Sequence, residues 1–154
     1  MHRVRMSAAV VATTLAVSLG TAAPAEAAQT PAGKYANAAH KATNKARVNH
    51  DRKALRKNDC LKRYAVRQAK RMANRNQMYH QDLGKVMDAC GLNTAGENVA
   101  YGYPTGRSVV RDGWMHSEGH RANILSRTYR IMGIGARKGD DGRWYVAQVF
   151  GRKA

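Results

Sequence analysis

The sequence predicts an α+β domain, and three observations predict it. Apolar residues recur at spacings of three and four between Leu61 and Met72, the period of a helix with one buried face. The segment Lys138-Gly139-Asp140-Asp141-Gly142 separates two strand-like runs near the C-terminus, as a hairpin turn does. The second run is apolar on both sides. Trp144, Val146 and Phe150 fall on one, and Tyr145, Ala147 and Val149 on the other, as in a strand between two layers. Helices first and a hairpin last give α+β rather than alternating βα units.

The elements follow in order. Arg3 and Arg5, the apolar run from Ser7 to Leu19, and Ala25-Glu26-Ala27 read residues 1–28 as a signal peptide. The apolar run is too short to cross a bilayer comfortably. A mature chain then begins near Ala28 or Gln29, with residues 29–33 a short flexible tail and residues 34–154 a single domain. Lys34 to His50, rich in Ala, Lys and Asn, reads as a first helix, and Leu55 lies in the connection. Asn58 or Asp59 can cap a second helix to about Asn74. Its inner face holds Leu61, Tyr64, Ala65, Gln68, Ala69 and Met72, and its outer face Arg63, Arg67 and Lys70.

A short helix is expected between Gln81 and Gly91, a short strand from Glu97 to Tyr101, and a turn from Gly102 to Gly106 around Pro104. Thr105 or Ser108 starts a further helix, with Val110, Trp114 and Ser117 sharing a face. Gly119 is expected to bend or end it, and a short helix through Ile124 follows. Ile131 to Arg137 and Arg143 to Phe150 complete the hairpin.

Charge and cysteine use narrow the surroundings. The chain carries 27 Lys and Arg against 10 Asp and Glu, a net charge of +17. Removing residues 1–28 takes away two cations and one anion and leaves +16. Such a charge favours anionic partners: nucleic acid, acidic lipid, or the phosphate-rich polymers of a cell wall. Lys41 to Arg75 alone holds thirteen basic and two acidic residues. The outer face of the second helix lacks interleaved aromatics for base stacking, and no nucleic-acid module surrounds it, which argues against specific nucleic-acid binding. Cys60 and Cys90 both lie in the mature part. An exported chain meets oxidising conditions, so the two are expected to form a disulfide. Two isolated thiols without a C-x-x-C make no zinc shell.

Several chemistries are excluded by spacing. His116, Glu118 and His120 do not form H-E-x-x-H, because the Glu follows the first His by two, turned away from that face. His116 reads as a surface histidine. There is no G-x-S-x-G nucleophile elbow, and Gly133 and Gly135 lie inside a strand rather than in a phosphate loop. Trp114 reads as core, and Asn123 as a brace for the short helix.

Three blocks remain: GENVAYG (Gly96 to Gly102), WMHSEGHRANIL (Trp114 to Leu125) and WYVAQVFG (Trp144 to Gly151). In that order they resemble the CAP superfamily, in particular its bacterial secreted branch, over roughly Ala36 to Gly151. The resemblance implies a three-layer α-β-α sandwich and a shared polar cavity. Its first His corresponds to His80 in MYHQD, its first Glu to Glu97 in GEN, and its second His to His120 in SEGHR. The family's second Glu lies well over a dozen residues before the second His. Here the nearby carboxylate is Glu118, which either approaches from the bend or leaves a His-Glu-His set. Asn98 and Ser117 are placed as cavity lining.

Three readings of such a cavity stay open. His80, His120 and Glu97 can ligate Zn²⁺ or another divalent metal. Carboxylate and imidazole can form a pH-sensitive network that ties two layers together. The same groups can serve acid/base chemistry. The leading function is a secreted, monomeric, extracellular binding module of the cell envelope, with a small ligand or metal in the cavity and an anionic cell-wall polymer on its basic surface. The alternatives are a metal-dependent hydrolase, protease-like or a nuclease, and a lipid or sterol carrier.

Overall fold

The computed structural model describes residues 30–154, so the expected signal peptide lies outside the described residues. The first helix, α1, is Pro31–Val48. Its start is written locally: the Thr30 side chain accepts from the Gly33 amide at 3.1 Å, and Pro31 occupies the first turn, where its missing N–H has no partner to lose. Residues 31–33, expected as part of a tail, therefore belong to the helix. Tyr35, Ala39, Thr43 and Arg47 recur every fourth residue along its buried face.

The helix α2, Asp59–Arg75, is capped by Asn58, whose side chain accepts from the Leu61 amide at 3.0 Å. It ends at Asn76, in the left-handed conformation with φ 49°. The helix α3, Leu83–Cys90, starts on Asp82 and stops at Gly91, with φ 59°. A Cys60–Cys90 disulfide joins the first turn of α2 to the last of α3, as expected from the sequence.

Four strands form one sheet: β1 (Arg56–Lys57), β2 (Leu92–Tyr101), β3 (Ile131–Lys138) and β4 (Trp144–Lys153), in the order β1-β3-β4-β2. β1 runs parallel to β3, and the other pairs are antiparallel. The tiny β1 had no sequence signal of its own, since it exists through pairing with β3. β2 is longer than the expected Glu97–Tyr101, because its pairing with β4 extends back from Tyr101↔Tyr145 to Leu92↔Lys153.

The sheet is covered on both faces, giving the α-β-α sandwich. On one side α1 and the segments after Thr105 pack Tyr35, Ala39, Val110, Trp114 and Ile124 against Ile134, Val146 and Phe150. On the other, α2 and α3 pack Leu61, Ala65, Met72 and Val86 against Val99, Ala147 and Val149. The two-sided burial of β4 follows from this alternation.

Thr105 starts the helical segment with a capping box to Ser108. A short α4, Gly106–Ser108, passes into a π turn, Val109–Gly113, and a 3₁₀ turn, Trp114–His116. The chain breaks at Gly113 and Ser117, not at Gly119 as expected. Ser117 is extended, and Gly119 sits inside α5, Glu118–Leu125. An added Cβ at Gly113 would lie 2.6 Å from the Tyr103 ring, so this glycine leaves room for that side chain to pack on the backbone.

Candidate functional site

β2 is an edge strand, and its free edge is where the site assembles. Glu97 and Asn98 are adjacent in sequence, so their side chains leave opposite faces of the sheet. The Glu97 side chain is 1% exposed and that of His80 is 60% exposed, and His80 Nδ1 lies 2.8 Å from Glu97 Oε2. Gln81 completes the holder: its backbone amide donates to Glu97 Oε2 at 3.2 Å and its Nε2 to Oε1 at 2.5 Å. With Nδ1 protonated and donating to the carboxylate, the Nε2 lone pair of His80 is left for another partner.

Asn98 works from the other face. It is fully buried and does not line the cavity as expected. Its Nδ2 donates to the His120 carbonyl at 3.1 Å and to Gln148 Oε1 at 3.2 Å, while Asn123 Nδ2 donates to Asn98 Oδ1 at 3.0 Å and to the Glu97 carbonyl at 3.2 Å. Gln148 Nε2 donates in turn to Thr43 on α1 at 2.8 Å. Asn123 thus braces β2 as well as its own helix. The glycine before Glu97 has a steric reason, since a Cβ at Gly96 would strike the Tyr129 hydroxyl.

His120 packs beside Trp114, with ring centroids 6.4 Å apart. Trp114 is core, as expected, and its indole N–H donates to the Val99 carbonyl at 3.2 Å. Burial pushes the His120 pKa below its ordinary value, and the charge of nearby His80 pushes it further down. An open cleft of about 540 Å³ lies here, lined by Met78, Tyr101, Tyr103, Trp114, Ser117 and His120 among others. Ser117 lines this cleft and makes no hydrogen bond to His120 among the described residues. Glu118 is exposed in the first turn of α5, where its charge suits the helix dipole, and among the described residues it forms no ion pair or side-chain hydrogen bond. The structure does not join it to the His80–Glu97 pair. His116 is exposed.

The donor set can be tested against a metal. Among the described residues no three His, Cys, Asp or Glu side chains come together as a metal-holding group. Both Glu97 oxygens already accept hydrogen bonds, so Glu97 fits the role of orienting His80 rather than that of a direct ligand. Two imidazoles remain as donors. Gln81, Tyr103 and Arg47 were missed in the sequence. Gln81 had a signal in its place directly after His80. Arg47 had none, because only the fold brings its guanidinium under the end of α5, where Nη1 donates to the Ile124 and Ser126 carbonyls at 2.6 and 2.9 Å.

A four-stranded sheet covered by helices on both faces defines an α-β-α sandwich domain. Residues 40–150 match the cysteine-rich secretory protein family, CAP, and the chain belongs to that family. It is 36% identical over 100 residues to the uncharacterized protein YkwD of Bacillus subtilis, covering 60% of this chain and 38% of that protein. An extracellular protein containing an SCP domain from Bacillus anthracis superposes with a TM-score of 0.70 at 27% identity, over 79% of this chain and 41% of that one. A cysteine-rich secretory protein from Staphylococcus aureus superposes at 0.69 with 22% identity, over 80% and 40%. The chain therefore spans about two fifths of the length of these relatives. Among the described residues no helix is long and apolar enough to cross a membrane.

Proposed function

We propose that this chain is a secreted binding module of the cell envelope whose ligand is met at the β2 edge by His80 and His120. The observation that carries this reading is the 2.8 Å bond between a nearly buried carboxylate and a largely exposed imidazole. Glu97 fixes the ring and its tautomer through Nδ1, which leaves Nε2 for a ligand atom or a divalent metal. Zn²⁺ bound there would supply a Lewis acid and a further coordination position. His80 and His120 would hold it, and Glu97 would orient His80. The hydrolase alternative is weaker on the same geometry. Glu97 is committed to His80 and Gln81, and among the described residues Ser117 has no base bonded to it.

Zn²⁺ titration of the full chain by calorimetry tests the reading. Saturable binding should weaken on acidification, because a ligating nitrogen must be free of its proton. His80→Ala or His120→Ala should abolish it, and Glu97→Gln should weaken it by roughly 10–100-fold. If the double His variant binds zinc as well as the parent, the cluster is a structural network.

One observation favours a second reading, lipid carriage. A larger groove of about 710 Å³ runs between α1 and the segment after Thr105, with Ala38, Ala42, Ala46, Val110 and Met115 among its apolar residues and Lys41 and Arg107 among its basic ones. Lipid extracted with the purified protein, and displaced by Ala42→Trp, would support it. Lipid-free protein that takes up no fatty acid would end it.

A further inference from the structure

Neither the cleft nor the core uses the charge on α2. Lys62, Arg63, Arg67, Lys70, Arg71 and Arg75 are all exposed, and the helix has one anion, Asp59, in its first turn. Among the described residues none of the six cations forms an ion pair. At 1.5 Å per residue they span about 20 Å of helix axis. Like charges one turn apart, such as Arg63 and Arg67, repel by a few tenths of a kcal/mol per pair, roughly 0.2–0.5. The pattern therefore works mildly against the helix that carries it.

Two guanidinium groups are held in place. Arg67 lies over the Tyr64 ring at 4.1 Å, and Arg75 over Tyr79 at 5.4 Å. The cations are thereby partly ordered before any partner arrives, and the two ring faces they cover are not open to a base. The strip also widens onto the sheet. α2 lies directly on β3, since a Cβ at Gly133 would strike the Lys62 amide and one at Gly135 the Val66 amide. Two strand residues advance about as far as one helical turn, roughly 6 Å. The next residue on that face, Arg137, then falls beside the Lys70 turn, and it is exposed, as is Lys138.

We propose that this strip is a docking surface for a linear phosphate polymer, read through its repeating charge. A row of cations on a straight helix face matches a repeating anion along a chain. Single-stranded nucleic acid would be held by stacking its bases on free aromatic faces. Insertion into a lipid surface would need an apolar anchor, and the strip offers only Val66, 44% exposed. The proposal is independent of the zinc reading, and the double variant His80→Ala, His120→Ala should keep parental polymer affinity.

The test is fluorescence anisotropy with end-labelled long-chain inorganic polyphosphate and the full chain. The variant carries Arg63→Gln, Arg67→Gln and Lys70→Gln. The control carries Lys34→Gln, Lys41→Gln and Lys45→Gln, the same charge loss at exposed positions of α1. Parental affinity should fall linearly on a log–log salt plot. Losing three phosphate contacts should make that slope shallower by about 2 and weaken binding at least tenfold at about 0.15 M salt, whereas the control stays within about threefold. Matched thermal melts show that both variants are folded. The single changes Arg63→Gln and Lys70→Gln, each expected to weaken binding by about threefold, carry the test should the triple variant not fold. Equal losses in the two triples would reduce the effect to net charge and overturn the proposal. So would no parental binding at low salt, or tighter binding to phosphatidylglycerol vesicles than to polyphosphate at equal phosphate concentration.

Discussion

Replacing Arg47 by Met removes a buried cation whose partners are carbonyls. Arg47 is 2% exposed and has no carboxylate partner among the described residues. Its Nε donates to the Lys53 carbonyl at 2.8 Å, and its Nη1 donates to those of Ile124 and Ser126 at the end of α5. Burial pushes its pKa down, and Arg130 and Arg52 push it further, yet a guanidinium stays protonated. Three charge-assisted bonds at roughly 1.5–3 kcal/mol each would stabilise by about 4.5–9 kcal/mol. Desolvation of the cation offsets several kcal/mol of that. Met keeps the volume of the stem, so little cavity forms. The Ile124 bond is the buried one, and leaving its carbonyl unpaired costs about 1–3 kcal/mol; the other two, partly exposed, add about 1 kcal/mol each. The expected loss is about 3–5 kcal/mol, measured by urea unfolding followed through tryptophan fluorescence. Arg47→Lys should recover less than half, because an ammonium lacks the planar fork that reaches both sides. A loss under about 1 kcal/mol for Met would show that desolvation cancels the bonds, and that Arg47 does not anchor α5.

Two further outcomes are expected. The Cys60–Cys90 bridge closes a separation of 30 residues, and Cys60→Ala, Cys90→Ala should lower stability by about 3–4 kcal/mol in the same urea assay, with a change under about 1 kcal/mol counting against the loop-closure argument. Stability should also fall on acidification below about pH 6.5. His40 and His120 both have pKa values lowered in the fold, His40 by burial and then by Lys57, so the unfolded chain takes up protons first as pH drops. Their contribution is present above the unfolded pKa and lost below it. His40→Gln and His120→Gln should each flatten the pH dependence measured by thermal melts, and unchanged slopes in both would refute the assignment.

Most helices were legible because their signals are local. Asn58, Asp82 and Gly91 stop or start the chain by their own hydrogen bonds and φ values. The hairpin was legible for the same reason. What escaped depends on distant partners. β1 and the first half of β2 are strands only because β3 and β4 lie beside them. The break before α5 was placed at Gly119 because glycine is the usual signal. It falls at Gly113 and Ser117, where Tyr103 packs on the backbone and the π and 3₁₀ turns end. Of the site, the motifs gave His80, Glu97 and His120 by resemblance. No periodicity could give Gln81 its grip on Glu97 or Asn98 its place behind the cleft.

The Gly-Glu-Asn segment shows why these histidines need a strand between them. His80 follows α2 on one side of the sheet, and His120 sits in α5 on the other. A residue pair on one strand reaches both layers from adjacent positions, because successive side chains alternate in direction. Glu97 takes the α2 side and fixes the His80 ring; Asn98 takes the other and fixes the His120 backbone. Gly96 leaves the space in which Tyr129 closes over the strand. A shift of one residue in the β2–β4 register would exchange these directions, turning the carboxylate toward the Trp114 layer and the amide toward His80 and Gln81. Eight aligned pairs from Thr94↔Arg152 and Ala95↔Gly151 to Tyr101↔Tyr145, together with Leu92↔Lys153, hold that register. The long pairing that the sequence concealed is therefore what fixes the geometry of the three residues it revealed.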